Sequence, residues 1–277
     1  MRGKIIFLIF TSIIFCSAPE ESGANRKTNV IVTILPQAEF VEKAGGEYVD
    51  VSVMVPRGTD PHTYEPTPSQ LKKAASADLY FKLGSGVEFE LAWMDKIASL
   101  NKNLTIINTS EGVELLDKDP HIWLSPKNAI IMVGSIRDAL IAKDPQREKM
   151  YQKNAEAYIK ELSRLDAEIK EKLAHKQNRI FMVFHPSWGY FARDYDLKEI
   201  SIEIEGKEPT IAGLKKVIDE ARETGVKEIF TSPQFSQRSA EVVAKEINGR
   251  VVSVDPLSKN YVENLKYIAD ILKKEID

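Results

Sequence analysis

Cysteine is almost absent from this 277-residue chain: the single thiol is Cys16, inside an apolar N-terminal run. One thiol closes no disulfide within the chain, and removal of the N-terminal segment leaves no thiolate ligand. Any metal site in the remainder uses nitrogen and oxygen donors. Long basic runs are missing too, and the formal net charge is −3, which argues against a nucleic-acid backbone as the main partner. The apolar run Ile5 to Phe15 is interrupted by Thr11 and Ser12 and is too short to span a bilayer comfortably. There is no phosphate loop, no serine nucleophile elbow and no His-Glu-x-x-His helix. Gly84-Ser85-Gly86 is too short and irregular to serve as a nucleotide loop. Histidine is scarce as well, with four in the chain, and three of them sit beside a proline.

What is present begins with a leader. Arg2 and Lys4 precede the apolar run and small residues follow it, the order of a secretory signal peptide. Residues 1–24 are expected to be that peptide and a short leader, with Ala18 or Ala24 ending the cleaved part; an N-terminal anchor left in place is the alternative. Cys16 is a candidate for lipid attachment, although Phe15 precedes it where a small residue is usual.

After the leader, short apolar runs alternate with helix-like segments. Strands are expected at Asn29–Leu35, Val49–Val55, Leu79–Leu83 and Leu104–Ile107, and again at Arg179–Phe184, Leu197–Ile204, Glu228–Thr231 and Arg250–Val254. Near-continuous apolarity suggests strands covered on both faces, as in parallel sheets. Helices are expected between them: one ending at Gly45-Gly46, Ser69–Ala75 with Ser69 or Thr67 as cap, and Val87–Ala98 with Leu91, Met94, Ile97 and Ala98 on one side. Ser125-Pro126 opens a helix to about Ala142, and Thr210–Thr224, Ser236–Ile247 and Tyr261–Glu275 follow. In the middle, Tyr151, Ala155, Tyr158, Leu162, Leu165, Ile169 and Leu173 form a narrow apolar stripe, and no glycine or proline interrupts Gln146 to Lys176. That is a helix of about 45 Å. A coiled-coil oligomerisation helix is one explanation; a strut packed along two βα halves fits the alternation better. The expected fold is α/β: two lobes with mostly parallel four-stranded sheets, joined by one long rigid helix. The expected division is 25–143 for the first lobe, 144–177 for the helix and 178–277 for the second lobe.

The chemistry gathers at short motifs past the strands. Asp60-Pro61-His62 recurs as Asp119-Pro120-His121, a His-Pro pair returns at His185-Pro186, and an Asp-Pro pair at Asp255-Pro256. Ligand-binding groups of open parallel sheets collect outside the carboxyl ends of the strands. His62, His121 and His185 with Asp255 are therefore the candidate metal ligands, two from each lobe. A lone loop histidine is more often structural, and Asp255 alone is more often a cap or turn former; it is their shared topological position that carries the assignment. His175, near the basic end of the long helix, suits the helix dipole and is given no ligand role. Three imidazoles and a carboxylate suit zinc first. Manganese tolerates the set but is better served by a second carboxylate, and calcium and magnesium prefer oxygen alone. Glu65 is read as a loop hydrogen-bonder or as a partner of His62; in a rival reading it is the general base of a zinc hydrolase. A binder of a metal chelate or vitamin is a further rival.

These residues carry a resemblance. Asp60 to Ser69, Asp119 to Pro126, His185 to Tyr195 and Val254 to Leu257 resemble the ligand loops of the zinc/manganese solute-binding proteins of bacterial ABC importers, the zinc-uptake type. Leu83 to Glu88 and the long helix around Asn154 fit the same pattern, which covers nearly all of the mature chain. The resemblance implies a non-enzymatic, exported and monomeric protein of two lobes with the metal at their interface. It implies capture of zinc, with manganese as the alternative, and delivery to a membrane permease; the strut limits domain motion, so release is expected by small tilts and loop changes. It implies His62, His121 and His185 as ligands, with Asp255 or water as the fourth. Two departures matter. The stretch Thr109 to Asp119 lacks the His-rich loop of many zinc-type members, and His185 stands where manganese-type members often have glutamate. The stretch Ile204 to Thr210 is expected to line the lobe interface.

Overall fold

The computed structural model of the protein describes residues 26–203 and 206–275. The expected leader, Cys16 and the Ile204-Glu205 part of the expected interface stretch lie outside the described residues. No helix among the described residues is long and apolar enough to cross a membrane.

Two sheets of four parallel strands form the frame. The first contains β1 (Thr28–Val32), β2 (Val49–Val53), β3 (Leu79–Lys82) and β4 (Thr105–Asn108), in the order β2-β1-β3-β4. The second contains β5 (Ile180–Val183), β6 (Lys198–Ser201), β7 (Glu228–Thr231) and β8 (Arg250–Ser253), in the equivalent order β6-β5-β7-β8. Parallel neighbours require crossovers. The first lobe makes them with α1 (Leu35–Gly45), α2 (Pro68–Ala75) and α3 (Glu88–Leu100), and α4 (Pro126–Lys143) follows its last strand. The second lobe uses α6 (Gly189–Asp194), α7 (Ile211–Thr224) and α8 (Arg238–Glu246), and α9 (Tyr261–Glu275) closes the chain. In both sheets the chain reverses direction between the first and third strands, a topological switch point.

Local signals explain most boundaries. Thr67 caps α2 by accepting from Gln70 N, and Pro68 takes its first turn. Ser125 caps α4 by accepting from Asn128 N, again ahead of a proline. Gly46, at φ +59°, ends α1.

Between the lobes runs α5 (Glu148–Leu173), 26 residues, or about 39 Å. Its buried residues are the seven of the apolar stripe, Tyr151 to Leu173. One apolar core runs from the first sheet through α4 and α5 to α6 and α9, while α7 and α8 cover a separate core with β5, β6 and β7. The final helix thus turns back toward the first lobe. Tyr261 N donates to Glu39 Oε2 at 2.7 Å, Phe40 and Tyr261 meet edge to face, and Lys259 pairs with Glu42.

One expectation is corrected. Leu91 does not lie on the buried side of α3; it is 75% exposed, and Phe89, Glu90 and Ile97 face inward instead. The helix is turned this way by Glu90, whose carboxylate accepts from Leu83 N, Gly84 N and Thr33 Oγ1. Burial raises the Glu90 pKa, with the hydrogen bonds opposing that rise.

Candidate metal centre

The Asp-Pro echo has a common geometry. In each copy the aspartate carboxylate accepts the backbone N–H two residues on: Asp60 from His62 at 2.9 Å, Asp119 from His121 at 2.9 Å and Asp255 from Leu257 at 3.0 Å. These are Asx turns, and the intervening proline offers no competing donor. Each lies past the carboxyl end of a strand, β2, β4 and β8 respectively. The first two turns present a histidine; the third presents Leu257.

Other ties fix the rings. Pro61 O accepts from Phe89 N, which seats the first turn against the start of α3. Ser85 Oγ donates to Pro120 O, and Trp123 Nε1 reaches across the lobes to Pro256 O at 2.8 Å. His185 lies two residues past the end of β5, and Phe235 stacks on it with centroids 4.5 Å apart. Among the described residues, one group of three or more metal-ligating side chains comes together closely enough for an ion: His62, His121 and His185, with ligand atoms within 4.8 Å of one another. The Asp255 carboxylate is not in that group, and its Oδ1 also accepts from Gln234 Nε2.

Each histidine has its own acid. His62 Nδ1 lies 2.5 Å from Glu88 Oε2, His121 Nδ1 2.8 Å from Asp119 Oδ1, and His185 Nδ1 2.5 Å from Glu203 Oε2. A carboxylate accepts and does not donate, so each Nδ1 carries a proton, which leaves Nε2 as the ring atom available to a metal. His185 Nε2 is buried and has no hydrogen-bond partner among the described residues. Burial lowers the His121 pKa, and the Asp119 carboxylate opposes that shift only in part. Glu88 and Glu203 were not anticipated from the sequence. Glu65 is exposed and the hydrogen bond at His62 goes to Glu88, so the expected Glu65 partnership is replaced. His175 is exposed beyond the end of α5, away from the centre.

Two spaces flank the rings. An outer cleft of about 550 Å³ is bordered by Asp60, Glu88, Lys118, Glu203 and Gly206 together with the three histidines. Its acids outnumber its one lysine, a field that favours cations. An inner cavity of about 10 Å³ lies against the same histidines, Trp123, Gln234, Phe235 and Leu257.

A family described as "Zinc-uptake complex component A periplasmic" matches residues 30–275. The chain belongs to this family, the ZnuA family. A crystal structure titled ZnuA superposes with a TM-score of 0.88 at 41% identity, covering 91% of this chain and all of that one. A zinc-bound ZnuA deletion mutant superposes with a TM-score of 0.86 at 40% identity, over 91% of this chain and 98% of that chain. The metal ABC transporter substrate-binding lipoprotein FimA of Streptococcus parasanguinis is 31% identical over 88% of this chain and 85% of its own length. The manganese ABC transporter substrate-binding lipoprotein scaA of Streptococcus gordonii is equally similar, at 31% over 88% of this chain and 85% of its own. The zinc-binding lipoprotein AdcA of Streptococcus pneumoniae is 28% identical over 92% of this chain, which spans 54% of AdcA. As a ZnuA-family member, the chain is a metal-binding solute-binding protein of an ABC importer.

Proposed function

We propose that this protein captures zinc, in preference to manganese, through Nε2 of His62, His121 and His185, and delivers it to an ABC permease in the membrane. The observation that carries the reading is the uniform tautomer of the three rings. All three Nδ1 atoms face carboxylates, and the ligand atoms of the three rings converge. Three neutral imidazoles favour zinc, whereas manganese is better served by more carboxylate oxygen. Relatives are named for either metal, so the donor set of this chain supports the choice. A water completes the set at the fourth position, with Asp255 as the acid behind it. The protein acts as a carrier and not as an enzyme: Glu65, the candidate base, is exposed, and the acid at His62 is engaged with its ring. Export by residues 1–24 and lipid attachment at Cys16 fit a family in which relatives are named lipoproteins. The protein is proposed to act as a monomer, with residues 144–177 as the strut between lobes 25–143 and 178–277.

Metal analysis after mild purification tests the capture. One zinc per chain is expected, and it is lost in His121→Ala. A protein purified without metal that takes up none when supplied, or a His121→Ala variant that keeps its zinc, overturns the reading.

A further inference from the structure

Gln234 lies in the loop between β7 and α8, and its side chain bridges two things the metal centre needs. Nε2 donates to Asp255 Oδ1 at 2.9 Å. Because a carboxylate only accepts, chemistry fixes which end of the amide faces Asp255. Oε1 is the other end. It is buried and has no hydrogen-bond partner among the described residues, as is also true of His185 Nε2. Both side chains border the inner cavity of about 10 Å³, a space of roughly one water. Both orphan atoms are acceptors. The donors beside them are committed: Trp123 Nε1 to Pro256 O, and Ser187 Oγ to His185 O at 3.5 Å. A desolvated amide oxygen without a donor is destabilising, and a cation with its own water supplies what both atoms lack.

We propose that Gln234 sets the fourth coordination position: Oε1 accepts a hydrogen bond from a water on the bound ion, while Nε2 holds Asp255 behind the amide. This rests on the reading of the three histidines as metal ligands. The Asp255 charge acts through the amide, since a carboxylate at one end of a hydrogen-bonded chain makes the oxygen at the other end a stronger acceptor. Gln234 is in these terms a positioning residue for the ligand water, and Asp255 contributes charge without a metal bond.

Zinc affinity is to be measured by competition with a chromophoric chelator for the wild type, Gln234→Met, Asp255→Asn and the double variant. Each single change is expected to weaken zinc by about tenfold, the lower end for partners of metal ligands. The double variant is expected to cost no more than the worse single one, because both residues act through one chain of bonds. The cobalt(II) visible spectrum is expected to change in Gln234→Met; a purely structural role would shift the metal-free melting temperature and leave the spectrum of the loaded protein unchanged. If Gln234→Met does not fold, Gln234→Asn, which keeps the amide but shortens its reach, is expected to show the same loss. Zinc binding equal to wild type in the folded Gln234 variant, or an Asp255 oxygen bonded to zinc in the loaded crystal, overturns the assignment of Gln234 and leaves the three-histidine reading intact. A wild-type protein that takes up no zinc overturns both.

Discussion

At His121 two effects oppose one another. Burial disfavours the imidazolium, the Asp119 carboxylate favours it, and burial dominates, so the pKa falls. The ring therefore keeps its Nε2 lone pair to lower pH than a free imidazole of pKa about 6.5 would. A metal competes with protons for that lone pair, so acid weakens binding. Because the His121 pKa is lowered, its share of that loss sets in further down the pH scale. Zinc affinity is expected to fall at least about tenfold between pH 7.5 and pH 5, as protons compete with the metal for its ligands. Chelator competition across that range checks this, and a flat affinity contradicts imidazole ligation. The histidines were legible because each stands beside a proline in the stretch that follows an apolar run. Glu88 and Glu203 were not, since they lie 26 and 18 residues from the rings they hold. Sequence proximity pointed to Glu65, but the Phe89 N–Pro61 O bond brings α3, and Glu88 with it, to His62.

At the scale of elements, β6 anchors the turn that follows His185. Glu199 Oε1 accepts from Ser187 N at 3.1 Å and Trp188 N at 3.0 Å. Burial pushes the Glu199 pKa up to about 7, and these two bonds oppose the rise. A carboxyl whose pKa is higher in the folded than in the unfolded state favours folding when protonated. Its contribution is present near pH 4.5 and is lost as pH rises through about 7. Glu199→Gln keeps an oxygen for both N–H groups without the charge. At pH 8 it is expected to stabilise the metal-free protein by about 1–3 kcal/mol, with little change at pH 4.5. Denaturant melts at the two pH values check this; destabilisation at pH 8 contradicts it. The long helix was legible because its stripe repeats over about six turns, and those same residues are its buried face. The face of α3 was misread because a buried glutamate, Glu90, sits where apolar periodicity expects carbon. The helix α6 went unforeseen: with six residues it is too short for a periodic signal. Its position is set by contacts distant in sequence. Tyr190 OH accepts from Leu116 N and donates to Asp119 O, and a Cβ at Gly189 would collide with Asp119 Oδ2.

For the whole molecule, the centre depends on two lobes being held in register. α6 ties the second lobe to the loop that carries His121, through Tyr190, through Arg193 Nη1 to Glu114 O, and through Ser125 Oγ to Asp194 Oδ2. Trp123 crosses to Pro256, and Tyr261 to Glu39. α5 packs into the same continuous core as the first sheet and α9. The two-lobe α/β architecture followed from the strand–helix alternation. That the final helix turns back to the first lobe did not, because amphipathic spacing tells which face is buried and not against what. With His62 and His121 from one lobe and His185 from the other, an ion would bind between elements that this frame has already brought together. The choice of ion rests on the three neutral imidazoles. Competitive titration of the metal-free protein with zinc and manganese tests that claim most directly. One equivalent of zinc is expected to bind and to displace manganese at equal concentration, with the preference lost in His185→Ala; manganese binding as tightly as zinc, or a preference that survives His185→Ala, would contradict it.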